Sequence, residues 1–245
     1  MTDPTELYLD LLKKCLTRSA FEKLTADELS KRALGLDWPV ERPGMIAAET
    51  MIGLARLDNI QECIAHIEED AVNGDFCETG VWRGGATIFM AACAKVYCAT
   101  SPCSVWVCDS FEGLPPPNAV DYPVDANDPH HTYKFLAVSQ DEVQRNFFRY
   151  GLLDDNVKFL KGFFKDTLPG PIEKLALLRL DGDMYESTIQ VFEALYDKVS
   201  PGGFIIVDDY ALHGARRATE DFRMARSITD PIVHIDSMGV YWRKS

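Results

Sequence analysis

The stretch Phe76-Cys77-Glu78-Thr79-Gly80-Val81-Trp82-Arg83-Gly84-Gly85 decides the fold. A short apolar run ends in an acid, the chain turns through glycines, and the small residues of Ala86 to Val96 continue as a helix. Strand, tight turn and helix in that order let a ligand approach bare backbone beside a helix N-terminus. The spacing is not G-x-G-x-x-G, because Val81 and Trp82 separate Gly80 from Arg83-Gly84. Glu78 also puts a carboxylate where the pyrophosphate of a dinucleotide would sit, and the two would repel. S-adenosylmethionine has no phosphate, and its ammonium and sulfonium are cations, so an acid-bearing glycine turn suits that cofactor better. Taken alone, a tight turn with no ligand explains the stretch equally well.

The alternation continues outward. Ser104 to Cys108 reads as a second strand ended by Asp109, followed by a proline-rich loop from Gly113 to Tyr133. Helix is expected over Gln140 to Tyr150, strand over Val157 to Lys161 and Leu175 to Leu180, and helix over Ser187 to Val199 with Ser187 as N-cap. Pro201-Gly202-Gly203 turns into a strand over Phe204 to Val207. A helix from Ala215 to Ala225 then precedes a hairpin, Ile232 to Ile235 and Gly239 to Arg243. Upstream, Leu7, Leu11, Leu12 and Leu16 give a helical stripe within a first forty residues that look helical. Leu36-Asp37-Trp38-Pro39 and Arg42-Pro43-Gly44 form a break, and helices are expected over Ile46 to Leu57 and Asp58 to Glu69. The pattern predicts an α/β chain: a doubly wound, mostly parallel, seven-stranded Rossmann-like sheet of the methyltransferase variety, with an antiparallel hairpin at its edge. Residues 1–73 are expected to form a helical extension and 74–245 the sheet domain.

Composition narrows the partners. The chain has 245 residues and a net charge of −13, which repels a nucleic-acid backbone or an anionic membrane. A small-molecule substrate fits, and a homo-oligomer is compatible with it. The first residues lack a basic segment followed by an apolar run, and no stretch approaches the ~18 apolar residues of a membrane span, so the chain reads as soluble and cytoplasmic. Cys93, Cys98, Cys103 and Cys108 recur at fives among seven cysteines. Zinc sites use tighter pairs, and buried, reduced thiols are the better reading.

Three groups of acids carry the chemistry. Asp109 ends the second strand, where doubly wound folds place an acceptor for ribose hydroxyls. Asp181-Gly182-Asp183-Met184-Tyr185-Glu186 ends the fourth strand, and Asp208-Asp209-Tyr210 ends the fifth. A lone strand-end aspartate is usually a helix cap. Two acidic clusters converging beyond parallel strands repel each other unless a cation lies between them. With no His or Cys inside either cluster, a hard ion such as Mg²⁺ fits better than zinc.

In this combination the sequence resembles the macrocin O-methyltransferase family, bacterial enzymes that methylate deoxysugar hydroxyls on antibiotics. Matching motifs run from Leu7-Tyr8-Leu9-Asp10-Leu11-Leu12-Lys13-Lys14 through the glycine turn and Asp109-Ser110-Phe111-Glu112-Gly113-Leu114-Pro115. They continue through Lys161-Gly162-Phe163-Phe164-Lys165-Asp166-Thr167-Leu168-Pro169 and Leu180 to Ser187, and end at Val207-Asp208-Asp209-Tyr210. The resemblance implies that Asp181, Asp208 and Asp209 hold Mg²⁺ and that Asp183 is the general base. It implies cofactor contacts from Glu49, Glu78, Thr79, Gly80, Asp109, Ser110 and Asp181, with the Gly162-Phe163-Phe164 turn around the adenine. The family's reach-over loop corresponds to the proline-rich segment before Tyr133. His130 and His131 in that loop match no family position and read as solvent-facing; His213 follows the metal pair without an assigned role.

Two other enzyme classes compete. A catechol-type O-methyltransferase shares the metal logic, but the helical start and the Glu78-to-Gly85 motif favour the sugar enzyme. A nicotinamide-dependent oxidoreductase is disfavoured by the glycine spacing, by Glu78 and by the lack of a Tyr-x-x-x-Lys pair. A cofactor-binding protein without catalysis would not need all four aspartates.

Overall fold

Strands β1 (Asp75–Thr79), β2 (Val105–Asp109), β3 (Val157–Lys161), β4 (Leu175–Leu180), β5 (Val199–Val207), β6 (Val233–His234) and β7 (Val240–Arg243) form one sheet in the order β3-β2-β1-β4-β5-β7-β6. The computed structural model describes residues 3–21, 48–98 and 103–245. The pairings β1–β2, β2–β3, β1–β4 and β4–β5 are parallel. Strand β7 runs antiparallel to β5, and the two-residue β6 pairs outside it. The expected hairpin is therefore present, with its second strand inserted next to the parallel set.

Two helical layers cover the sheet, and period-two alternation along the strands assigns their faces. Helices α1 (Pro4–Leu16), α2 (Leu54–Glu69), α3 (Gly85–Tyr97) and α4 (Gln140–Arg149) share a buried cluster with Phe76, Leu177 and Phe204. Helices α6 (Tyr185–Leu195) and α7 (His213–Ala225) share the other with Leu178, Leu180 and Ile205. The short α5 (Phe164–Thr167) follows β3. All six residues of β4 are buried, as a central strand's near-continuous apolar run requires. Among the described residues no helix is long and apolar enough to cross a membrane. All seven cysteines are free, and Cys77 and Cys108 lie on neighbouring strands with sulfurs 3.7 Å apart.

Three elements differ from expectation. The helix expected over Ile46 to Leu57 begins only at Leu54, and it runs without a break to Glu69. Glu49 explains the late start: its N–H donates to the Leu16 carbonyl (3.1 Å) and its carbonyl accepts from Gly85 N (2.8 Å), so its backbone is committed outside any helix. Helix α6 starts at Tyr185, so Ser187 lies inside it rather than capping it, and the expected helical end is a 3₁₀ turn, Tyr196–Lys198. Strand β5 begins at Val199 and takes in the Pro201-Gly202-Gly203 turn, with a register shift against β4 between Leu175 and Leu177. The sequence break over 36–44 and the helix expected beyond residue 21 lie outside the described residues.

Candidate active site

The chain winds outward from β1 in both directions, to β2 and β3 on one side and to β4 and β5 on the other. The crevice beyond the carboxyl ends of β1 and β4 is therefore the switch point at which such sheets bind ligands. Gly80 permits the closeness of these ends. Its φ is +84°, and a Cβ there would lie 1.7 Å from the Asp181 carbonyl oxygen. Asp181 N donates to Thr79 O at 2.9 Å, tying the two strand ends together.

A cleft opens here, lined by Gly80, Trp82, Asp109, Ser110, Phe163, Phe164, Asp181 and Asp183, among other residues. Asp109 is held by the backbone: Oδ2 accepts from Val81 N and Oδ1 from Phe111 N, each at 2.7 Å. Burial raises its pKa, and these amide donors oppose the rise. The other residues expected at the cofactor do not line the cleft. Glu78 is buried with one oxygen on Arg179 and the other accepting from the Thr87 hydroxyl. Thr79 is buried and donates to Arg179 O at 3.3 Å. Glu49 is buried too, where Arg18 and Tyr150 hold its carboxylate. Gly162 precedes the Phe163-Phe164 pair and donates its N–H to Asp109 O at 2.9 Å.

The two acidic clusters do converge. Carboxylate oxygens of Asp181, Asp208 and Asp209 lie within 4.8 Å of one another. The donor set is all oxygen, which suits a hard divalent cation. Two buried arginines stand behind it. Arg179 reaches Glu78, Asp181 (2.7 Å) and Asp208, while Arg56 reaches Asp208 and Asp236 (3.0 Å). Sequence reasoning missed both, although Arg179 is the lone charge in the apolar run of β4, a recognisable signal. Even so, the acids are not fully compensated. Burial, reinforced by the charges of Asp183, Asp181 and Asp208, holds Asp209 well above the usual carboxylate range. Burial raises Glu78 to about 7 against the pull of Arg179.

Asp183 adjoins this cluster and the cleft. Its backbone is left-handed (φ +56°), and its N–H donates to Asp209 Oδ2 at 3.1 Å. Burial and then the charge of Asp181 push its carboxyl to about 7. His130 is not the solvent-facing residue that its loop position suggested. It is partly buried, bonded through Nδ1 to Asp128 (2.8 Å), and near enough for its charge to act on Asp183. His131 is exposed, and His213 begins α7.

An open parallel sheet with β7 reversed beside β5, and a ligand cleft at its switch point, defines a Rossmann-like methyltransferase fold. The chain belongs to the macrocin O-methyltransferase (TylF) family, whose description matches residues 24–244. It is 47% identical to 8-demethyl-8-(2,3-dimethoxy-alpha-L-rhamnosyl)-tetracenomycin-C 4'-O-methyltransferase from Streptomyces olivaceus, over 98% of this chain and 94% of that one. It is 46% identical to mycinamicin III 3''-O-methyltransferase from Micromonospora griseorubida, over 98% and 97%. The solved structure of the O-methyltransferase NovP superposes with a TM-score of 0.90 at 43% identity, covering 98% of this chain and 99% of that one.

Proposed function

We propose that this protein transfers the methyl group of S-adenosylmethionine to a hydroxyl of a deoxysugar on a glycosylated natural product. In this reading Asp181, Asp208 and Asp209 hold Mg²⁺, Asp183 is the base, and residues 1–73 extend a catalytic domain of 74–245. One observation carries it: three carboxylates converge within 4.8 Å at the edge of a cleft that also presents Asp109, Ser110 and Phe163-Phe164. The sugar acceptor is supported by the relatives named for methylating rhamnosyl-tetracenomycin and mycinamicin III.

Bound S-adenosylmethionine supplies an electrophilic methyl group, and a divalent ion lowers the pKa of the hydroxyl it coordinates. The protein's own residues do the rest. Gly80 clears the backbone for the cofactor, Asp109 accepts from its ribose hydroxyls, and Phe163 with Phe164 packs the adenine. Glu78, buried against Arg179 and the Thr87 hydroxyl, stiffens the floor of the site. Asp183 takes the hydroxyl proton, and a carboxyl near 7 is well matched to that task at neutral pH. Holding acceptor and methyl in line contributes as much as acidity, up to ~7–11 kcal/mol in ideal cases.

Thermal melting tests the cofactor assignment. S-adenosylhomocysteine should raise the Tm and NAD⁺ should not; stabilisation by NAD⁺ alone would overturn the methyltransferase reading.

A further inference from the structure

Asp125 lies in the proline-rich loop, in the 3₁₀ turn Pro123–Asp125, yet it is 1% exposed. Its carboxylate reaches across the chain to the start of α6: Oδ1 accepts from Tyr185 N and Oδ2 from Glu186 N, each at 2.8 Å. These are the first two amides of a helix whose own N-cap residue, Met184, makes no side-chain cap bond. The space for this reach is reserved. A Cβ on Gly214, in the first turn of α7, would lie 3.0 Å from Asp125 Oδ1 and 2.7 Å from Tyr185 N. Tyr122 adds a ring contact to Tyr185 at 6.0 Å. Just upstream of the capped amides lies Asp183, in its left-handed conformation. Further along the same loop, His130 Nδ1 bonds to Asp128 Oδ1 at 2.8 Å.

We propose that Asp125 is a positioning residue for methyl transfer: by capping α6 from the proline-rich loop, it sets Asp183 and holds that loop against the start of α6. The assignment rests on the reading of Asp183 as base only for its catalytic consequence; the latch itself is a matter of hydrogen bonds. A carboxylate at the positive end of a helix makes the bond both charge-assisted and directional, so it fixes a geometry as well as a stability.

The test compares Asp125→Ala and Asp125→Asn in the full chain, with Mg²⁺ and S-adenosylhomocysteine present. Asparagine keeps one acceptor oxygen and should restore part of the effect. In Asp125→Ala, amide hydrogen exchange should rise about tenfold or more in residues 118–135 and 183–187, with β1, β2 and β4 unchanged. Turnover on an acceptor glycoside should fall roughly 10–100-fold through kcat and the acceptor KM, with the KM for S-adenosylmethionine unchanged. Unchanged exchange in 118–135, or an even rise across the whole sheet, overturns the proposal. Asp183→Asn serves as the separate arm: full turnover there removes the base and leaves the exchange result for Asp125 standing.

Discussion

Replacing Gly80 with alanine probes the contact on which the cleft depends, and Gly151→Ala is its internal control. Both glycines have positive φ, +84° and +66°. A Cβ at Gly151 meets nothing within 4 Å, so that substitution carries only the conformational cost, about 1–2 kcal/mol. At Gly80 the added carbon would sit 1.7 Å from the Asp181 carbonyl oxygen, against the ~3.5 Å of an ordinary contact. The ends of β1 and β4 must part to admit it. Overpacking adds about 1–3 kcal/mol, for a total of roughly 2–5 kcal/mol. For a chain of this size, 1 kcal/mol corresponds to ~2–4 °C, so Gly80→Ala should melt roughly 4–20 °C lower and Gly151→Ala roughly 2–8 °C lower. Differential scanning calorimetry reads the first effect, and titration with S-adenosylhomocysteine should show binding lost only in Gly80→Ala. Equal melting temperatures with intact binding in both would refute the proposed close approach.

Asp208→Ala should destabilise the protein more than Asp209→Ala, because it strips a carboxylate from two buried arginines; broken buried pairs cost about 3–5 kcal/mol, and urea unfolding of the two variants measures the difference. Asp183→Asn should keep Mg²⁺ and S-adenosylhomocysteine binding while turnover falls roughly 10²–10⁴-fold; rescue by high Mg²⁺ would make Asp183 a ligand instead. Glu78 and Asp183 both titrate at about 7 in the fold, above their ordinary values of 4.5 and 3.8. The folded state thus binds their protons more tightly than the unfolded chain does, and stability falls as pH rises toward and through 7. The metal-free protein should therefore melt higher at about pH 6 than at about pH 8, and Mg²⁺ should raise the Tm more at the higher pH; a melting temperature that rises with pH would contradict the buried, undercompensated acids.

Much of this fold is written in local pattern. Leu175 to Leu180 is apolar but for Arg179 and reads as a strand, and its observed bounds match. The acids converge because each follows a strand end, and parallel strands deliver those ends to one edge. What escaped reading is non-local. Ser187 fits the N-cap rule, but the helix starts earlier because Asp125, far away in sequence, supplies the cap. A helix is expected over Ile46 to Leu57, but the bonds of Glu49 to the Leu16 carbonyl and from Gly85 N commit its backbone outside any helix. Arg56 sits in an otherwise ordinary amphipathic helix, and only the folded chain shows its guanidinium on Asp208. His130 looked solvent-facing because nothing in the sequence reveals that its loop is anchored at Tyr185 and Glu186.

The most direct measurement is a product mass spectrum from the purified protein, S-adenosylmethionine and a panel of deoxysugar glycosides, run after EDTA treatment and again with Mg²⁺ restored. Fragmentation should place one added methyl on the sugar, with turnover lost in EDTA and recovered with Mg²⁺. A methyl on the aglycone, or full turnover in excess EDTA, would contradict the account.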